Sequence, residues 1–149
     1  MKPTRTWILI ADGARARILV NEGPGKGVTP LEGGTFESAH DASHALGDDK
    51  PGRTFESATT ARHAYEPSQD PHRELKRDFA AELAAMLDQR LLQKDYDRVI
   101  LVAPPKMLGD LRAELTEAVR AVLYAELDKD LTKTPVKELP GHLGAVLAV

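Results

Sequence analysis

Residues Trp7 to Val20 restrict the fold more than any other stretch of this chain. Trp7-Ile-Leu-Ile-Ala11 is an unbroken apolar run, a length that suits a strand and falls short of a helix. Asp12-Gly13 follows, a pair that predicts a tight type I′ hairpin turn, in which both central residues need φ > 0. Beyond it Ala14, Ala16, Ile18 and Val20 alternate with Arg15, Arg17 and Leu19. Successive side chains of a strand face opposite ways. The return strand therefore has one apolar face and a second face carrying two guanidinium groups, and the hairpin reads as the start of a sheet.

The chain has 149 residues, which predicts a single domain over 1–149, large enough to bury a proper core. Its apolar share of 42% and charged share of 29% are those of an ordinary folded protein. A net charge of −3 excludes a globally basic nucleic-acid binder, while a local basic face stays open. With no cysteine there is neither a disulfide framework nor a thiolate metal site. Only Lys2 and Arg5 precede a short apolar run, and no stretch approaches the roughly 20 apolar residues of a membrane span. The expected location is the cytoplasm.

After the hairpin, Val28-Thr-Pro-Leu-Glu32 predicts a weak third strand, which Pro30 confines to an edge or an end. Residues 33–69 show no apolar period and predict a long flexible loop. Within it Thr35-Phe-Glu-Ser-Ala39 recurs as Thr54-Phe-Glu-Ser-Ala58, too short for a repeat array. Asp70-Pro71 reads as an N-cap with proline at the first helical position. Leu75, Phe79, Leu83, Met86, Leu87 and Leu91 then recur at three and four, predicting a helix over 71–93.

Val99 to Ala103 is apolar on both faces and predicts a central strand covered on each side. Met107, Leu108, Leu111 and Leu115 predict a shorter helix. Residues 119–128 carry both a helical and an alternating pattern, and periodicity leaves that open. Residues 135–149 predict a C-terminal helix interrupted near Pro140-Gly141. The order predicts an α/β fold: a single-domain sandwich whose mixed sheet combines an antiparallel N-terminal hairpin with a strand entering by a helical crossover.

The chain also resembles a known bacterial family through Trp7 to Arg17, Pro51-Gly-Arg-Thr-Phe-Glu-Ser57, Arg62-His63, Asp70-Pro-His-Arg-Glu74, Val102-Ala-Pro-Pro105 and Leu127-Asp-Lys-Asp-Leu-Thr-Lys133. That family is named for a protein required for attachment to host cells. More distantly, the order of elements resembles the middle domain of archaeal and eukaryotic class I release factors and of Pelota. This second resemblance implies an RNase-H-like sandwich and favours a strand at 119–128. It also implies a ribosomal setting. The release-factor Gly-Gly-Gln is missing, since Gly33-Gly34 is followed by Thr35, so peptidyl-tRNA hydrolysis by that route is not expected.

The resulting expectation is a non-enzymatic module binding RNA or ribosomal surfaces, with the ribosome or tRNA as partner. Its contact residues would be Arg15, Arg17, Gly52, Arg53, Thr54, Arg62, His63, Arg73 and Arg77, because phosphate backbones reward cationic groups whatever the base sequence. Phe55 and Tyr65 would stack on bases or anchor the loop. No catalytic residue, cofactor or metal is assigned. Asp12 is explained by its turn. His40, Asp41, His44, Asp48 and Asp49 lack a zinc spacing, and Gly23 to Gly27 lacks the Ser or Thr of a phosphate loop. Two alternatives stand beside this reading. One is an attachment or surface-interaction protein. The other is a hydrolase of RNA or peptidyl-tRNA using Asp12, or Ser57 and His63.

Overall fold

A computed structural model describes residues 3–38 and 71–149 of the chain. Strand β1 (Thr6–Ala11) is buried at every position. It is followed by β2 (Arg15–Asn21), β3 (Thr29–Glu37), helix α1 (Pro71–Leu92), β4 (Arg98–Ala103), α2 (Pro105–Glu114), α3 (Glu117–Ala121) and β5 (Leu123–Asp128). A 3-10 turn at Val136–Glu138 leads into a last short helix, α4 (Leu139–Leu143). The strands form one mixed sheet in the order β3-β2-β1-β4-β5. β1 pairs antiparallel with β2 and parallel with β4, while β4 pairs parallel with β5. The expected α/β sandwich with hairpin and crossover strand is the fold observed.

Alternation along the strands divides the core in two. Trp7, Leu9, Val99 and Leu101 face one way, against Phe79, Leu83 and Leu87 of α1, Met107 and Leu111 of α2, and Val119 of α3. Ile8, Ile10, Ile100 and Val102 face the other way, against Leu131, Leu139, Leu143 and Leu147. Each such side chain contributes about 1.5–3 kcal/mol relative to its exposed state. This is why β1 and β4 read as continuous apolar runs: both faces are covered.

Helix α1 ends in a Schellman arrangement. Asp95 N–H donates to Arg90 C=O and Lys94 N–H to Leu91 C=O, with Lys94 at φ 61°. The chain then returns through Tyr96, whose ring stacks on Trp7 at 4.6 Å between centroids. The Tyr96 hydroxyl donates to Leu87 C=O at 2.7 Å. Burial, and then the nearby Asp88 carboxylate, push this phenol well above its ordinary pKa.

Arg17 is a structural clamp. Its guanidinium donates to Leu131 C=O at 2.7 Å and to Thr134 C=O at 2.5 Å, pinning the segment that leads into α4. Burial lowers its pKa.

Four expectations are corrected. The hairpin connection is not a type I′ turn, because neither Asp12 nor Gly13 has positive φ. Instead the Asp12 carboxylate accepts the N–H groups of Ala14 and Arg15, both at 2.8 Å, so the side chain shapes the turn. Strand β3 runs on to Glu37, so the expected loop does not begin at 33. A register shift opposite Arg17 and Leu19, with Gly33 at φ 73°, lets the Gly33-Gly34 pair continue an edge strand that propensity argued against. Residues 119–128 are divided, helix α3 up to Ala121 and strand β5 from Leu123. Pro140 and Gly141 lie inside α4, near its start, and do not interrupt it. The remainder of the expected loop, 39–69, with its Thr54 to Ala58 echo, and the proposed Asp70 cap lie outside the described residues.

Arg17→Met keeps the stem but removes both carbonyl contacts. It should destabilise by roughly 1–3 kcal/mol and speed amide exchange in residues 131–134, measured by hydrogen exchange with mass spectrometry. Tyr96 keeps its proton in the folded state where the unfolded state would lose it, so its raised pKa weakens folding as pH rises above about 10. Denaturant titrations across pH 9 to about 11 should show that decline, and Tyr96→Phe should flatten it.

Candidate functional site

The chain leaves β1 toward β2 and leaves β4 toward β5, in opposite directions along the sheet. A crevice opens where parallel neighbours part in this way, outside their carboxyl ends. At that place the structure has a cavity of about 400 Å³. Its floor is Asp12 and Gly13 after β1, and Pro104 after β4. One wall is the head of α1, with His72, Arg73 and Lys76; the other is α2, with Lys106, Met107 and Asp110. A shallower recess of about 230 Å³ shares Asp12, Gly13, His72 and Lys76 and extends toward Ser38.

Each charged group here has a definable job. Arg73 and Asp110 form a two-pronged pair at 2.6 and 2.5 Å, which ties the head of α1 to α2 and raises the Arg73 pKa. The pair is partly shielded, with side chains 23% and 12% exposed, so water screens it less than a surface pair. Asp12 is engaged by its two turn amides, and its second oxygen accepts from the Thr132 hydroxyl at 3.3 Å. Both carboxylates that line the cavity among the described residues are thus occupied. Among the described residues, the ammonium groups of Lys76 and Lys106 have no ion pair, and they stand on opposite walls.

Gly13 is explained by space. A Cβ at this position would lie 2.8 Å from Lys76 Cδ and 2.9 Å from Cγ, closer than carbon atoms approach. The aliphatic stem of Lys76 therefore rests on bare backbone, and a side chain at 13 would push that stem aside. Helix α2 adds polar groups from its own end. Pro104 offers no side-chain cap and Pro105 has no N–H. The first bond of the helix is Leu108 N–H to Pro104 C=O, so the amides of Lys106 and Met107 have no partner four residues back.

The expected contact residues are distributed unevenly. Arg73 lines the cavity but is paired with Asp110. Arg15 and Arg17 do share one face, around a separate recess of about 220 Å³ that also touches Phe36 and Thr132. Arg17 is engaged by the C-terminal segment as described above. Arg77 is exposed on α1 and lines neither that recess nor the cavity. Gly52, Arg53, Thr54, Arg62 and His63 lie outside the described residues, as do Phe55, Ser57, Tyr65 and the His40 to Asp49 cluster.

Lys76, Lys106 and Asp110 line the cavity and lie outside that set. For Lys106 the sequence holds a signal: an apolar strand closed by Pro104-Pro105, with Lys106 directly after, marks a helix start at the carboxyl end of a central strand. Among the described residues no group of three His, Asp or Glu could hold a metal ion. No helix there is long and apolar enough to cross a membrane.

Stretches far apart in sequence meet at this end of the sheet: the turn after β1, the head of α1, the Val102 to Pro105 strand end, and Asp130 to Lys133. All four belong to the resemblance set out above. Comparison with known proteins agrees with it. An uncharacterized protein of Rickettsia prowazekii is 31% identical over 83 residues, which cover 56% of this chain and 50% of that protein. The chain thus aligns with about half the length of that relative. A model of the family described as "protein required for attachment to host cells" matches residues 7–143. Matched over nearly its whole length, from β1 to α4, the chain belongs to this host-attachment family.

Proposed function

We propose that this protein is a binding module serving attachment to host cells, and that it captures an anionic group of its partner in the cavity between β1, β4 and the heads of α1 and α2. One observation carries the reading: among the described residues, Lys76 and Lys106 face a common concavity whose two carboxylates, Asp12 and Asp110, are already occupied. A positive cleft with low-dielectric walls concentrates its field on an incoming anion. The same occupancy argues for binding over acid–base chemistry, since Asp12 and Asp110 hold the turn and the helix pair. Family membership supplies the biological setting.

Deleting the gene and restoring it as wild type, or as the Lys76→Glu/Lys106→Glu pair, tests this. Deletion should lower the number of cells retained on host monolayers severalfold, and the wild type should restore it. The charge-reversed pair should stay at the deletion level while matching wild type in abundance and thermal midpoint. Full restoration by the pair would remove the cavity from the attachment role.

A second reading, the release-factor-like contact with RNA or ribosomes, is favoured by one feature: Lys76 and Arg77 are adjacent and exposed at the head of α1, beside the cavity. The structure engages Arg17 and Arg73 elsewhere, so this reading rests on fewer cations than the sequence offered. It predicts co-sedimentation with ribosomes at low salt that falls steeply between about 50 and 200 mM salt. Sedimentation clear of ribosomes at low salt would end it.

A further inference from the structure

We infer that the cavity is a phosphate-ester site, taking the terminal mono- or diphosphate of a small organic ligand or of a partner's surface group. This rests on the cavity being the contact site proposed above, and it names the chemistry that the site selects.

Charge is the first argument. Among the described residues Arg73 and Asp110 offset one another, and the two ammonium groups on facing walls outnumber the one remaining carboxylate, Asp12, which its turn amides hold in place. Like charges sharing a concavity repel, and the repulsion grows as water is excluded. A dianion between them relieves it for both at once. A carboxylate brings one charge and two oxygens in a plane. A phosphate brings up to two charges and three oxygens directed apart, which suits donors arriving from separate directions.

Donor placement is the second argument. Lys76 approaches from α1, its stem lying against Gly13. Lys106 approaches from α2, where the Lys106 and Met107 amides, like all first-turn amides, lack helical acceptors, and Pro104 at the N-cap supplies no side chain to cap them. The Arg73 fork is held in orientation by Asp110, and a guanidinium has five N–H donors, so the pair leaves some available. The cavity therefore combines flexible point charges, fixed amides and a pre-oriented fork.

Size is the third. About 400 Å³ lies within the range of small-molecule pockets and exceeds what a bare phosphate needs. Pro104 and Met107 give its wall an apolar portion for the organic part of an ester. The recess toward Ser38 offers that part a way out.

The test is calorimetric titration of the full chain with inorganic pyrophosphate, at low salt and again at about 150 mM, where surface charge is screened. Saturable one-to-one binding that survives the higher salt is expected. Lys76→Ala and Lys106→Ala should each weaken it at least tenfold, and Gly13→Ala should weaken it by displacing the Lys76 stem. Lys137→Ala, exposed on the 3-10 turn and lining neither the cavity nor its recess, should change it less than twofold. Absence of saturable heat, or equal weakening by Lys137→Ala, would overturn the inference. So would tight binding of oligouridylate that pyrophosphate cannot displace, since the site would then read a polymer backbone.

The outcome separates from that of the attachment reading. A silent titration with attachment still abolished by the charge-reversed pair would overturn the phosphate assignment alone. Cavity-dependent pyrophosphate binding with attachment intact in that pair would overturn the attachment role and keep the phosphate site.

Discussion

Everything in this molecule depends on the burial of β1 from both sides. Its six residues touch no solvent, and its two neighbours run in opposite senses relative to it. One neighbour arrives by a hairpin, the other only after a helical crossover. The strand is therefore the seam between an antiparallel half of the sheet and a parallel half. Trp7 and Leu9 on one face require helices above them; Ile8 and Ile10 on the other require the C-terminal segment below. Leaving either face open would expose a row of large apolar side chains, at about 25 cal/mol per Å².

The same seam creates the site. Parallel strands place their carboxyl ends side by side, and the chain departs from them in opposite directions, so a gap forms that side chains from α1 and α2 can line. The Arg73 to Asp110 bridge spans the two helices across that gap. Gly13 and the Asp12 carboxylate shape its floor. Structure and candidate function share residues here: Asp12 builds the turn, the turn carries Gly13, and Gly13 admits Lys76. A substitution at Asp12 or Gly13 acts on the cavity through position more than through charge.

The C-terminal segment plays a less obvious part. Leu131, Leu139, Leu143 and Leu147 cover a sheet face with short helical pieces instead of a full helix. Such pieces satisfy few backbone groups of their own, and Arg17 holds the segment that leads into them by donating to the Leu131 and Thr134 carbonyls, the first of which also accepts from Thr134 N–H. Nothing in the local sequence around Arg17 announces this. Its alternation with Arg15 suggested an exposed cationic face, whereas its hydrogen-bond acceptors come from residues more than a hundred positions away.

Much of the fold was legible in the pattern of apolar residues. The two both-sided runs identified β1 and β4, the three-and-four spacing identified α1, and Pro30 correctly placed β3 at an edge. These features are local and periodic, and burial enforces them one residue at a time. The apolar pattern was thus enough for β1, β2, β4, α1 and α2, for the mixed character of the sheet and for the family, whereas the division of 119–128 and the extent of β3 were not readable from it. Tertiary structure alone decided which cations remain available. Arg17 and Arg73 found partners across the fold while Lys76 and Lys106 came to face one cavity. Periodicity describes how a side chain leaves its own strand or helix; the acceptor it meets is set by the other elements packed against it.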